Sequence, residues 1–337
     1  MEKSFLFLLL LSGCASAHTW LEALLSITSN GSFASTPGFP RGFVARSDTS
    51  FSDNSMTYRI TAKNATTPLC HPSQQVANGY NNPQYPRLNA SAGSWISLTY
   101  QENGHVSAPQ VPEGRPYRSG NVYVYASTTL RDEEFASVHG NWTADNSLES
   151  GRLIATHFFD DEICFQNQGS NPSPINSHRK AAAKNLSSVN CQTDIQLPDD
   201  ITSDVLALYW VWDWSLWPNM DNTSFEAYTT CAEIDIASGG TASSGIVIND
   251  SVPLDQRALQ SQLATKFEVL ELGTGTAAPP PVTSLPPTTN SSVVSPTTTP
   301  TTPTTGTTTP RKANECSGIT VGATITVTVT AGPAPSD

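Results

Sequence analysis

Apolar and β-branched residues occur in short bursts between residues 18 and 272, separated by polar stretches rich in Gly, Pro and Asn. MTYRIT (56–61), SWISLTY (94–100), NVYVYAS (121–127), LIATHFF (153–159), DVLALYWVW (204–212), CAEIDIA (231–237) and GIVI (245–248) each have the length and side-chain type of a strand. Turn-rich segments such as GYNNPQYP, APQVPEGRPYRSG and NQGSNPSP lie between them. The pattern predicts an all-β fold, an immunoglobulin-like antiparallel β-sandwich with long loops, and one short helix over 254–270. Within LYWVWDW, strand alternation sets Leu208, Trp210, Trp212 and Trp214 on one face. That face reads as a buried aromatic layer rather than a sugar-stacking platform. Tyr80, Tyr85 and Tyr117, on loops, are better platform candidates.

The two ends have other compositions. Lys3, an apolar run at 5–11 and Ala15-Ser16-Ala17 read as a secretory signal peptide over residues 1–17. A rival reading takes Leu11-Ser12-Gly13-Cys14 as a lipobox, which would lipidate Cys14 and leave His18 internal. No other apolar run is long enough to span a bilayer. After the β-sandwich domain, 18–272, residues 273–312 are almost all Thr, Pro, Ser, Gly and Ala, a disordered stalk open to O-glycosylation. The C-terminal tail, 313–337, contains ITVGATITVTVT, enough for one strand, and is too polar for a GPI signal.

The 337 residues carry a formal charge of −12, and 14% are charged. No basic patch with interleaved aromatics exists, so nucleic acid is not an expected partner. Sequons at Asn30, Asn64, Asn89, Asn141, Asn185, Asn222, Asn249 and Asn290 fit a secreted eukaryotic glycoprotein, extracellular or in the cell wall. In that oxidising setting four of the cysteines are expected to form two bridges. Cys164–Cys191 with Cys70–Cys231 is the favoured one of three pairings, and Cys316 is left over. No G-x-S-x-G, H-E-x-x-H or P-loop is present. Asp160, Asp161 and Glu162 are adjacent, which suits a solvated turn better than a pair of carboxylates facing across a cleft.

Cleavage after Ala17 would make His18 the first residue. Its α-amine and imidazole Nδ1 could then chelate one ion together, and an internal histidine lacks that amine. A second histidine completes three nitrogens in a T, a set that suits Cu(II) better than Zn(II). Position alone does not carry this, because some residue must follow any cleavage site. His105, in YQENGHVSAP directly after a strong strand, is the first candidate partner, and His139 in SVHGNW the second. His157 alternates with apolar neighbours and reads as packed. His71 beside Cys70 reads as structural, and His178 lies in a polar loop.

These residues resemble the lytic polysaccharide monooxygenases, secreted β-sandwich copper enzymes whose mature chain begins with histidine. The fungal cellulose-active members carry a Tyr-x-x-Cys near the last core strand, matched here by Tyr228 and Cys231. The resemblance therefore implies an axial role for Tyr228, with His18 and His105 as the other ligands of one copper ion. Gln166 in CFQN and Glu102 are two candidates for the nearby Gln or Glu of those enzymes. HTW, YQENGHV, a CxQ segment, YWVWDW and YTTC also resemble a fungal secreted family known only as a domain of unknown function, over residues 18–240. The implied activity is copper-dependent oxidative cleavage of a cell-wall polysaccharide by a monomer using an external electron donor. A copper-binding or uptake protein without turnover, and a cell-wall structural glycoprotein, are the alternatives.

Overall fold

The computed structural model describes residues 18–64, 66–80, 82–107, 116–184, 186–215, 225–237 and 245–269. The signal peptide, the Thr/Pro-rich segment and the C-terminal tail expected from the sequence lie outside the described residues, as do Trp217 and Cys316. Two sheets face each other. The smaller contains β1 (Leu21–Ser26), β4 (Trp95–Tyr100) and β7 (Cys191–Gln196), with β4 in the centre. The larger runs in the order β2 (Arg59–Ile60), β9 (Ala227–Ile236), β8 (Val205–Asp213), β5 (Asn121–Ser127), β6 (Arg152–Phe158). Pairing is antiparallel except for β3 (Leu88–Ala90), which runs parallel to β9. This is the expected β-sandwich.

Its core follows from alternation. Leu21, Leu24, Ile96, Leu98, Tyr100 and Ile195 point inward from the small sheet. Val122, Val124, Leu208, Trp210, Trp212, Tyr228 and Ile234 meet them from the large one. The aromatic face of β8 is thus a buried layer, as its alternation predicts. Its other face, Ala207, Tyr209 and Val211, is also covered, by Phe135, Val138, Trp142 and Phe225 in a second cluster. Both faces of β8 are dry, which explains its nearly continuous apolar run. The two disulfides are Cys70–Cys231 and Cys164–Cys191, the favoured pairing.

Several expectations need correction. GIVI (245–248) forms no strand. The helix expected over 254–270 is confined to α3 (Gln260–Ala264), preceded by a 3-10 turn at Leu254–Gln256. There the segment crosses the sandwich edge, and its amides bond to other elements. Two further helices were not anticipated, α1 (Phe135–Val138) and α2 (Pro174–Ala182). Ser173 caps α2 by accepting from the Asn176 amide, with Pro174 at its first position. Asp161 does not lie in a solvated turn. It is buried, and its carboxylate accepts from the amides of Ile163, Cys164 and Gln192.

Candidate functional site

The chain enters β1 through His18, Thr19 and Trp20. Thr19 Oγ donates to the Gln101 carbonyl at 2.7 Å, and Leu21 pairs with Tyr100. The start of β1 therefore runs beside the loop that leaves β4. The Asn103 side chain donates to the carbonyl of His18. His105 lies two residues farther along that same loop.

A buried carboxylate shapes the loop. Glu102 Oε2 accepts from the amides of Val106 (2.9 Å) and Ser107 (2.5 Å). Its Oε1 accepts from the Gln166 amide at 3.0 Å and from the Ser107 hydroxyl. Glu102 thus works as the internal staple of the 102–107 turn. Gln166 is drawn to the same place, its side chain donating to Gln101 Oε1 at 3.0 Å. Gln166 and the strand next to His18 are accordingly neighbours.

His105 is only 6% exposed. Its ring meets those of Trp212 and Trp214 edge to face, at 4.7 and 4.5 Å. Tyr228 lies 6.5 Å from it, centre to centre, and stacks on Trp212 at 5.1 Å. β8–β9 register explains this stack, because Trp212 and Tyr228 are direct cross-strand partners. The Tyr228 hydroxyl donates to Glu226, and Arg59 approaches that carboxylate at 3.6 Å. Burial first, then the Glu226 charge, pushes the Tyr228 phenol well above its ordinary pKa, so it stays protonated.

A strained turn closes the other side. Arg118 (φ 45°) and Ser119 (φ 63°) are consecutive non-glycine residues in the left-handed region, followed by Gly120 at φ 86°. A Cβ on Gly120 would fall 2.2 Å from the Asp213 carbonyl. Ser119 repays the strain with two bonds: its hydroxyl donates to the His105 carbonyl at 2.8 Å, and its carbonyl accepts from Trp212 Nε1 at 2.8 Å. Tyr117, at the start of the turn, is 47% exposed and rests against Phe158.

His18 itself is more open. Its Nδ1 lies 3.4 Å from Asp53 Oδ2. Asp53 is presented by a segment anchored nearby, where Phe51 packs on Trp20 at 5.9 Å. Arg46 lies over the Trp20 ring at 4.0 Å while bonding Glu22 at 2.7 Å. Asp53, Asn103 and Glu226 were not singled out from the sequence. Glu226 had a signal, since it stands two residues before Tyr228 at the entry to β9. Asp53 had none, being brought in by a loop.

The remaining histidines are elsewhere. His139, the second candidate partner, bonds the Tyr125 hydroxyl at 3.1 Å and lies 3.7 Å from Asp213. It packs in the cluster on the outer face of the large sheet, opposite the face that holds His105. His157 is buried with Nδ1 at 3.3 Å from Glu268. His71 accepts from the Ser73 amide, and His178 lies on α2. Among the described residues, the one close grouping of three His, Cys, Asp or Glu donors is Asp161, Cys164 and Cys191, and its two sulfurs are joined in a disulfide.

Solved structures of similar shape include CvAA9A, with 13% identity over 72% of this chain and 86% of that one, at a TM-score of 0.33. A cellulose-active polysaccharide monooxygenase from M. thermophila gives 15% identity over 66% and 80%, at 0.32. The extended catalytic domain of LPMO9A from H. jecorina gives 14% over 68% and 78%, at 0.31. No curated protein matches the sequence. A family profile described as "Domain of unknown function (DUF7492)" matches residues 15–262, and the chain belongs to that family.

Proposed function

We propose that the secreted chain, cleaved after Ala17, would hold one copper ion through the His18 amine, His18 Nδ1 and His105, with Tyr228 beside them, and oxidise a cell-wall polysaccharide. The observation that carries this is the bond from Asn103 to the His18 carbonyl, which joins the start of the chain to the loop bearing His105. Tyr228, the residue to which the resemblance assigns a place at the ion, has its ring 6.5 Å from that of His105. The donor types suit the ion: two imidazoles and an amine are nitrogen donors that favour Cu(II), and the protonated phenol beside them brings no charge. Bound there, copper would supply one-electron chemistry toward O2 or H2O2, with electrons from an external donor.

The protein's own residues set the conditions for that chemistry. Trp212 and Trp214 hold the His105 ring edge-on and shield it from water. Ser119 and Glu102 fix the backbone on either side of it. His18, with a side chain 29% exposed, leaves one side of the site open to a large substrate. Glu226 holds the Tyr228 proton at the phenol oxygen. Gln166 is the neighbouring amide best supported as a hydrogen-bonding residue at the site's edge, acting through Gln101. No described helix is long and apolar enough to cross a membrane. A secreted monomer with a globular domain at 18–272, a linker at 273–312 and a tail at 313–337 completes the reading.

One observation favours a second reading. The carboxylate of Asp53, 3.4 Å from His18 Nδ1, is a further anionic donor within reach of the ion, which suits a site that binds copper without turning it over. Intact-mass analysis of the deglycosylated secreted protein, with one equivalent of copper, tests both readings. A chain beginning at His18 that retains one copper, and loses it in His105→Ala, supports the site. A different first residue, or unchanged affinity in His105→Ala, removes both. Oxidised oligosaccharides released from cell-wall material with a reductant then separate catalyst from carrier.

A further inference from the structure

Beside the segment that presents Asp53 is a cleft of about 460 Å³ that has no part in the proposed copper site. Its walls include Phe43, Tyr85, Asp48, Ser50, Asn78 and Asn82. The aromatic side is built: Phe43 and Tyr85 meet edge to face at 5.0 Å, and Phe39 packs on both, at 5.0 and 5.1 Å. At Gly42 the cleft needs a bare backbone. Its φ is +58°, and a Cβ would fall 2.5 Å from the Ser73 carbonyl. The polar side is oriented as well. Asp48 Oδ1 accepts from the Ser50 amide at 2.8 Å and the Ser50 hydroxyl at 2.7 Å, which fixes the carboxylate plane. Asn78 is held by its bond to the Pro72 carbonyl at 2.7 Å, and Asn82 by its bond from the Gln84 amide at 3.0 Å.

Aromatic rings beside a carboxylate and two amides match the chemistry of a pyranose, which offers an apolar C–H face and a rim of paired hydroxyls. The volume lies within the range of small-molecule sites. We propose that this cleft binds the neutral sugar units of a polysaccharide, the C–H face against Tyr85 and Phe43 and the hydroxyls on Asp48, Asn78 and Asn82. The choice of sugar excludes uronic acids. The Ser50 amide and then its hydroxyl hold Asp48 below the ordinary carboxylate range, so it is anionic wherever a uronate is too. The same segment continues to Phe51 and Asp53, which meet Trp20 and His18. That polysaccharide is the substrate rests on the proposed function; that the cleft binds sugar does not.

Calorimetry on the metal-free, full-length secreted protein tests it, using cellohexaose, xylohexaose and hexagalacturonate as probes. A neutral hexaose is expected to bind, with hexagalacturonate about tenfold weaker or more, and Asp48→Ala and Tyr85→Ala each weakening the neutral sugar about tenfold or more. His105→Ala is expected to leave this binding unchanged while abolishing copper retention. Neutral binding that survives both cleft substitutions, or no neutral binding at all, overturns the proposal. If sugar binding instead falls in His105→Ala and not in the cleft variants, the sugar sits at the copper site and the cleft is excluded. Loss of the copper reading with cleft binding intact leaves this proposal standing.

Discussion

Replacing Glu102 by alanine is the most informative single perturbation of the His105 loop. Glu102 is 1% exposed and accepts from three amides, Val106 (2.9 Å), Ser107 (2.5 Å) and Gln166 (3.0 Å), and from the Ser107 hydroxyl. A hydrogen bond to a charged group contributes about 1.5–3 kcal/mol net. The three amide bonds alone bring the loss to about 4.5–9 kcal/mol, and water entering the vacated space would move it toward the lower end. A domain in the upper half of the ordinary range, about 5–15 kcal/mol, survives that as a folded but loosened protein. Glu102→Gln keeps one acceptor oxygen but turns an NH2 toward donors, so about 2 kcal/mol should go. Urea denaturation gives the global loss, and amide exchange gives its location. Val106 and Ser107 should exchange about a hundredfold faster, a local change of about 2.7 kcal/mol. Affinity at the proposed copper site should fall with it, since His105 lies inside the same turn. A variant within about 1 kcal/mol of the parent, with Val106 and Ser107 exchange unchanged, would refute the staple.

Two more expectations concern stability. Burial holds Asp194 at about 7 and Asp161 at about 6, both above the ordinary 3.8. The folded chain keeps protons that the unfolded chain releases, so their contribution is fully present below pH 4 and is lost as pH rises toward 7. The melting temperature of Asp194→Asn should therefore change less between pH 4 and 8 than the parent's; parallel curves would contradict the assignment. Removing the Cys70–Cys231 bridge, which spans 161 residues, should cost about 3–5 kcal/mol in thermal unfolding, and an unchanged melt would deny its role.

Much of the sandwich was legible because its strands carry their own periodicity. β5 coincides with NVYVYAS, and β4, β6, β8 and β9 lie at or within a few residues of their expected segments. β1 was not, since LEALLS uses residues that favour helices and becomes a strand only by pairing with β4. β7, CQTDIQ, hid because its polar side chains serve interior bonds, Gln192 and Asp194 among them. At the proposed site, His18 and His105 are named by residue type and position and Tyr228 by the resemblance; the structure adds the contacts around them, Asn103 to the His18 carbonyl and Trp212 and Trp214 against His105. Glu102 was weighed for the wrong task, because its role depends on how the 102–107 turn closes on itself. Asp53 depends on a loop path that no local pattern encodes.

The stretch after residue 245 has a consequence for how copies of the protein behave toward each other. β6 and β7 are edge strands, whose unpaired backbone invites other strands to add. Along β7 the side-chain amide of Gln262 imitates a neighbouring strand: it accepts from the Asp194 amide and donates to the Gln192 carbonyl at 3.2 Å. On β6 the strap supplies real backbone, with the Thr156 amide donating to the Lys266 carbonyl at 3.1 Å and the Glu268 amide to the Thr156 carbonyl at 2.8 Å. One crossing segment thus blunts an edge of each sheet. A recombinant domain cut before residue 250 would keep every residue of the proposed copper site and lose this guard against edge-to-edge aggregation.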